Sequence, residues 1–216
     1  PNTKFTHCFS HTNSIFIIET KSNIDSRHFV TSASNCKNKM KKRKTIVFID
    51  RDGVVVDYET AVRVMTEEER VKYGGIKSQY KLCPNIYERM EPMEGAIDAV
   101  NQILWDDRFS VYFASAPPRK NPSSYTGKQL WLLKHFVHSD VDGRLILTKR
   151  KDLLIGDYLI DDRPERNGAG GFRHPGRLLE INRTKPGCFA TLQDAIDEII
   201  RIEDMKYECT RSRVRG

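Results

Sequence analysis

Thr45-Ile46-Val47-Phe48-Ile49 runs directly into Asp50-Arg51-Asp52-Gly53. The first five residues form a continuous β-rich apolar run, which fits a strand buried on both faces, as in a parallel sheet. Four later runs repeat the theme: Phe109–Ala114, Arg144–Thr148, Tyr158–Ile160 and Arg177–Ile181. Helical patterns separate and follow them. Gly95 to Trp105 carries Ala96, Ile97, Ala99, Val100, Ile103 and Leu104 in amphipathic order. Tyr125 to Phe136 places Leu130, Leu133 and Phe136 on one stripe, and Thr191-Leu192-Gln193-Asp194 reads as a capping box opening a helix through Ile196, Ile199 and Ile200. This alternation predicts an α/β fold: a parallel sheet with helices on both faces. The polar stretch 58–92, broken at Gly74-Gly75, reads as a small helical cap inserted after the first strand.

Outside that body the chain changes character. Residues 1–44 are rich in Ser, Asn, Thr and Lys and end in Lys41-Lys42-Arg43-Lys44, so a disordered basic extension is expected there, a folded domain over 45–204 and a basic tail over 205–216. The formal charge of +7 divides accordingly: +7 in residues 1–44, +3 in 205–216 and −3 in the body. A charge confined to the ends argues for solvated tails over a nucleic-acid surface. Ser14-Ile15-Phe16-Ile17-Ile18, closed by Glu19, is far too short to span a bilayer. The five cysteines form no C-x-x-C pair and are odd in number, which suits reduced thiols. A soluble cytoplasmic protein without a membrane partner is expected, and a homodimer is one assembly open to it.

In open α/β sheets ligands bind beyond the carboxyl ends of the strands. Asp50, Asp52, Ser115, Lys151, Asp161 and Asp162 all fall at or just after such ends. Two acids one residue apart repel unless a cation or proton lies between them. Mg²⁺ suits oxygen ligands of this kind. One acid can then attack phosphorus while the other handles protons. The plainer reading, a loop whose aspartates cap amides, stays open on this motif alone. An EF-hand is excluded, because the twelfth loop position is Ala61, where a Glu is required. Ser115-Ala116-Pro117 can hold a phosphate oxygen or simply end a strand. Lys149-Arg150-Lys151-Asp152 can neutralise phosphate or be a solvated run. Asp161-Asp162-Arg163-Pro164 calls for a metal or a salt bridge with Arg163. Gly74-Gly75-Ile76-Lys77-Ser78 and Gly168-Ala169-Gly170-Gly171 fail the P-loop and dinucleotide patterns, and His135 with His138 lacks a third metal ligand.

Taken together the motifs carry a family resemblance. Asp50-Arg51-Asp52-Gly53-Val54 is similar to the nucleophile motif of haloacid dehalogenase (HAD) type phosphatases. Residues 45–182 resemble the cytosolic type C 5′(3′)-deoxyribonucleotidase family, notably its bacterial members, through Asp50–Tyr58, Glu91–Val100, Ser115–Phe136 and Leu145–Asn167. The resemblance implies a HAD-like fold and Mg²⁺-dependent hydrolysis of a small phosphate monoester, a nucleoside monophosphate, through an aspartyl-phosphate. It implies Asp50 as nucleophile and metal ligand, and Asp52 as general acid/base that also offers a carbonyl to the metal. Asp162 and Asp161 become acidic metal ligands, and Ser115, Ala116 and Lys151 phosphate holders. Tyr58 stands where the family places a ring beside the base, and Tyr80 and Tyr87 are further candidates. The alternatives are a phosphatase for another small ester or for nucleic-acid 3′ ends, and a non-catalytic phosphate-binding module.

Overall fold

The computed structural model describes residues 43–137, 140–172 and 176–214, with side chains through residue 209. The expectations for residues 1–42 and for His138 lie outside these. Five strands, β1 (Thr45–Ile49), β2 (Phe109–Ser115), β3 (Leu145–Leu147), β4 (Tyr158–Asp161) and β5 (Arg177–Glu180), form one sheet in the order β3-β2-β1-β4-β5. Every pairing is parallel; Ile49 lies beside Phe113 on one side and Ile160 on the other.

Side-chain alternation gives the sheet two different faces. Val47, Ile49, Val111, Phe113 and Ile160 point to one side and share a core with α4 (Ala96–Leu104), α5 (Ser123–His135) and α6 (Leu192–Val214). Burying each such side chain contributes about 1.5–3 kcal/mol. Phe48, Ala114 and Leu159 point the other way, onto Ala169 and Phe172. Helices therefore lie on both faces in unequal form. α-Helices cover the first, and short 3-10 turns at Lys151–Leu153 and Ala169–Gly171 belong to the connections around the second. Right-handed crossovers explain the asymmetry: moving outward from β1 to β2 and β3 uses one face, and returning to β4 and β5 uses the other.

Two expectations need correction. The inward stripe of α5 is Ser124, Gly127, Lys128, Trp131 and Leu132, whereas Leu130 and Leu133 are exposed at 40% and 47%. The cause is a close helix crossing. A Cβ added at Gly127 would lie 3.2 Å from the Glu88 amide nitrogen, and Trp131 Nε1 donates to the Met90 carbonyl at 2.7 Å. The second concerns the boundary at 204, since α6 continues to Val214. Glu203 anchors that continuation: it accepts from Thr45 Oγ1 and Tyr158 hydroxyl at 3.0 Å each and pairs with Lys206. At the other end, Arg43 and Lys44 belong to the fold, bonded to Asp157 and Asp107.

The 58–92 insertion consists of a 3-10 turn (Tyr58–Val62), α1 (Glu67–Tyr73), α2 (Lys77–Tyr80) and α3 (Ile86–Arg89). A capping box between Thr66 and Glu69 starts α1, and Gly74 ends it. α3 buries Ile86 and Tyr87, and Asn121 donates to the Lys81 and Cys83 carbonyls, so this half of the cap is tied to the body. α1 and α2 bury no residue.

Candidate active site

The direction of the chain crossovers reverses between β1 and β4, the place where such sheets open a crevice. Both neighbouring strands lead into aspartate there: Asp50 follows β1 and Asp161 closes β4. The Asp50 amide bonds the Ile160 carbonyl at 2.8 Å, which locks Asp50 beside Asp161. Beyond Asp50 the chain curls back, with the Val56 amide donating to the Arg51 carbonyl at 2.8 Å. Gly53 sits in that curl at φ +94°, and any Cβ there would collide with the Asp162 carboxylate. Only glycine satisfies both demands.

Asp50, Asp161 and Asp162 bring one carboxylate oxygen each to within 4.8 Å of one another. Lys151, fully buried, bridges two of them, 3.0 Å from Asp50 Oδ1 and 2.5 Å from Asp161 Oδ2. Asp161 Oδ1 accepts from the Arg163 amide, and Asp162 Oδ2 lies 3.2 Å from Arg163 Nε. Asp162 Oδ1 is buried with no hydrogen-bond partner. Burial among neighbouring acids pushes the Asp50 carboxyl up to about 7, against the pull of Lys151. Burial likewise lifts Asp162 to about 6, against the pull of Arg163. Three hard oxygen donors, one of them orphaned, with too little positive charge nearby, fit a divalent cation.

Asp52 is built in the opposite way. Lys128 Nζ bonds Asp52 Oδ2, and Arg51 Nη1 bonds Oδ1. Both cations are fully buried. Burial alone would raise the Asp52 pKa, but Lys128 and Arg51 outweigh it and hold the group below the usual carboxylate range. Burial lowers the Lys128 pKa, opposed by Asp52. Lys128 also donates to Ser115 Oγ at 2.8 Å and lies 4.4 Å from the Tyr87 ring centre. Arg51 stacks 4.8 Å from the Trp131 ring and bonds the Tyr87 carbonyl, joining the loop after β1 to α5 and α3.

A cavity of about 660 Å³ opens over these groups, with Asp50, Asp52, Asp161 and Asp162 among its lining. Tyr58, Tyr87 and Ala116 line it as well. Burial lifts the Tyr58 hydroxyl to about 12 and that of Tyr87 still further. Thus the predicted acids, Lys151, Ala116, Tyr58 and Tyr87 come together. Ser115 is buried behind the wall, reached through Lys128, and Tyr80 stands outside the lining, its ring stacked 6.1 Å from that of Tyr58. Lys128 and Arg51 were not anticipated. The signal for Lys128 was present: it sits four residues after Ser124 and three before Trp131 on the stripe that faces inward. His135 packs against Trp131 at 4.3 Å between ring centres and joins no metal-ligating group among the described residues.

Residues 75–185 match the model of the 5′ nucleotidase, deoxy (Pyrimidine), cytosolic type C protein family. A Vibrio phage KVP40 protein, provisionally named a 5′(3′)-deoxyribonucleotidase, is 39% identical over 132 residues, 61% of this chain and 74% of its own length. The human cytosolic-type 5′(3′)-deoxyribonucleotidase is 28% identical over 150 residues, 58% of this chain and 74% of its own. Among solved structures, a haloacid dehalogenase-like hydrolase from Burkholderia xenovorans LB400, also provisionally assigned, aligns with a TM-score of 0.41 at 13% identity, over 72% of this chain and 96% of that one. With its family model spanning half of its length, this chain belongs to the cytosolic type C 5′-nucleotidase family.

Proposed function

We propose that this chain is a magnesium-dependent phosphomonoester hydrolase acting on nucleoside monophosphates. The observation that carries the reading is the pairing, on one cavity floor, of a carboxylate cluster short of positive charge with a carboxylate held between two cations. The first suits a metal ion. The second leaves surplus positive charge for a phosphoryl group.

In this reading Asp50 is the nucleophile. One carboxylate oxygen forms a bond to phosphorus as the bond to the leaving oxygen breaks, giving an aspartyl-phosphate. The leaving oxygen needs a proton. Asp52 reaches the cavity, and Lys128 stands bonded to it, so the proton passes from Lys128 across Asp52. Asp52 then draws a proton from the water that cleaves the aspartyl-phosphate and returns it to Lys128. Lys151 neutralises Asp50 before attack and the departing phosphate afterwards. Asp50, Asp161 and Asp162 would hold Mg²⁺, which supplies Lewis-acid stabilisation of phosphoryl charge when bound. Tyr58 and Tyr87 give the leaving nucleoside an aromatic wall. Among the described residues no helix is long and apolar enough to cross a membrane.

Phosphate release is to be measured over nucleoside monophosphates and sugar phosphates, with and without Mg²⁺. Nucleoside monophosphates with Mg²⁺ should lead. Asp50→Asn should cut turnover at least about a thousandfold while the chain stays folded. A variant that keeps most of its turnover removes Asp50 as the nucleophile.

A further inference from the structure

The rim of the cleft is charged in the opposite sense to its floor. Lys77 and Lys81 from the cap, with Lys149, Arg163 and Arg166 from the loops at the strand ends, line the same cavity as the four aspartates. General basicity does not explain this, because residues 45–204 carry a net charge of −3. Three of the five have acidic partners: Lys77 with Glu59, Arg163 with Asp162 and Arg166 with Glu165. Lys81 and Lys149 are exposed and form no ion pair among the described residues. One belongs to the cap and the other to the loop beyond β3.

The reacting phosphoryl group does not need them. Its charge is met at the floor by Lys151, held on Asp50, and by Lys128. A base and a sugar are uncharged and offer a cation little. Unpaired positive charge in the cavity lining, supplied by the cap and by the loop after β3, suits a second anion on the leaving group.

We infer that the site favours a phosphomonoester whose leaving group bears a second phosphate, such as a nucleoside 3′,5′-bisphosphate, with Lys81 and Lys149 as its specificity-determining side chains. This inference rests on the phosphatase reading above. Hydrolysis breaks one P–O bond. Water supplies the hydroxyl on the released phosphate and the proton on the leaving oxygen, and the second phosphate stays on the product nucleotide.

The test is calorimetric binding to the full chain carrying Asp50→Asn, in Mg²⁺, of thymidine 3′,5′-bisphosphate and thymidine 5′-monophosphate. At low salt the bisphosphate should bind about tenfold tighter, the sum of two exposed ion pairs. Adding Lys81→Gln and Lys149→Gln should shrink the ratio to about twofold, and raising the salt should erode it in the same direction. Equal affinities overturn the inference, as does a ratio that survives the double substitution. Phosphate release by the unsubstituted chain separates the two readings. Release without the binding advantage sinks only the second-phosphate site. An advantage that depends on Lys81 and Lys149, without release from either compound, sinks only the phosphatase reading.

Discussion

The cavity floor has two poles, and they are built on opposite principles. At one, three carboxylates gather with Lys151 and the half-buried Arg163, and one buried oxygen is left without a bond. At the other, a single carboxylate is clasped by two fully buried cations. Each is costly alone, since burying charge without full compensation opposes folding. The costs are complementary: a dication would relieve the first pole, and a phosphoryl dianion placed between them would relieve the second.

The same chemical change should therefore have opposite effects at the two poles, and this is the largest expected contrast. Asp52→Asn removes the proposed proton relay and should lower kcat about 10²–10⁴-fold. It also leaves Lys128 and Arg51 without their counter-charge, a destabilisation on the order of 2 kcal/mol in urea unfolding. Asp162→Asn relieves carboxylate crowding, so the metal-free protein should become slightly more stable at pH 8 while its Mg²⁺ affinity falls at least about tenfold. Equal losses of stability in both variants would show that the poles do not differ.

A smaller effect reads the first pole through pH. The carboxyls of Asp50 and Asp162 are raised, to about 7 and about 6. A group raised on folding stabilises most below its unfolded value of about 4, and that contribution fades as pH rises through the folded value. The melting temperature of the metal-free protein should therefore fall between pH 5 and 8. Mg²⁺ competes with those protons, so its stabilising effect should grow over the same window. At a hundredfold excess over Kd the gain at pH 8 is about 2–3 kcal/mol, or about 5–10 °C. A shift of the same size at pH 5 would place the ion elsewhere.

How much of this could be read from residues alone follows from the same contrast. The α/β sheet was legible because its strands are short, mostly apolar runs, and the acids were legible because they follow or close two of them. The first pole is thus written in local sequence. The second is not. Arg51 looks like a spacer between two aspartates, and nothing local reveals that its guanidinium is packed between Trp131 and Tyr87. Lys128 lies on the inward stripe of α5, where a charged residue breaks the rule that inward positions are apolar. Following apolar residues instead leads to Leu130 and Leu133, which are exposed. A site that violates local patterning is the kind of place where such reading fails. The length of α6 was missed for a related reason: its last turns look basic and solvated, yet Glu203 bonds back to β1 and β4.

The smallest predicted effect asks whether the second pole needs both cations. Arg51→Met keeps the length and volume of the side chain and its contact with Trp131. It removes a guanidinium whose Nε is buried without a partner, and it leaves Lys128 bonded to Asp52. Replacing a buried ion by a well-packed apolar group is often neutral for stability. If Arg51 mainly packs, melting and turnover should both stay close to the unsubstituted chain. The stacking and the Tyr87 carbonyl bond argue for more than packing, because they fix α3 and Asp52 to the same group. A fall in kcat of about three- to tenfold is therefore expected, with the melting temperature within about 2 °C. Loss of more than about a hundredfold would mean that Lys128 alone cannot hold Asp52 in place, and that the surplus charge belongs to Arg51.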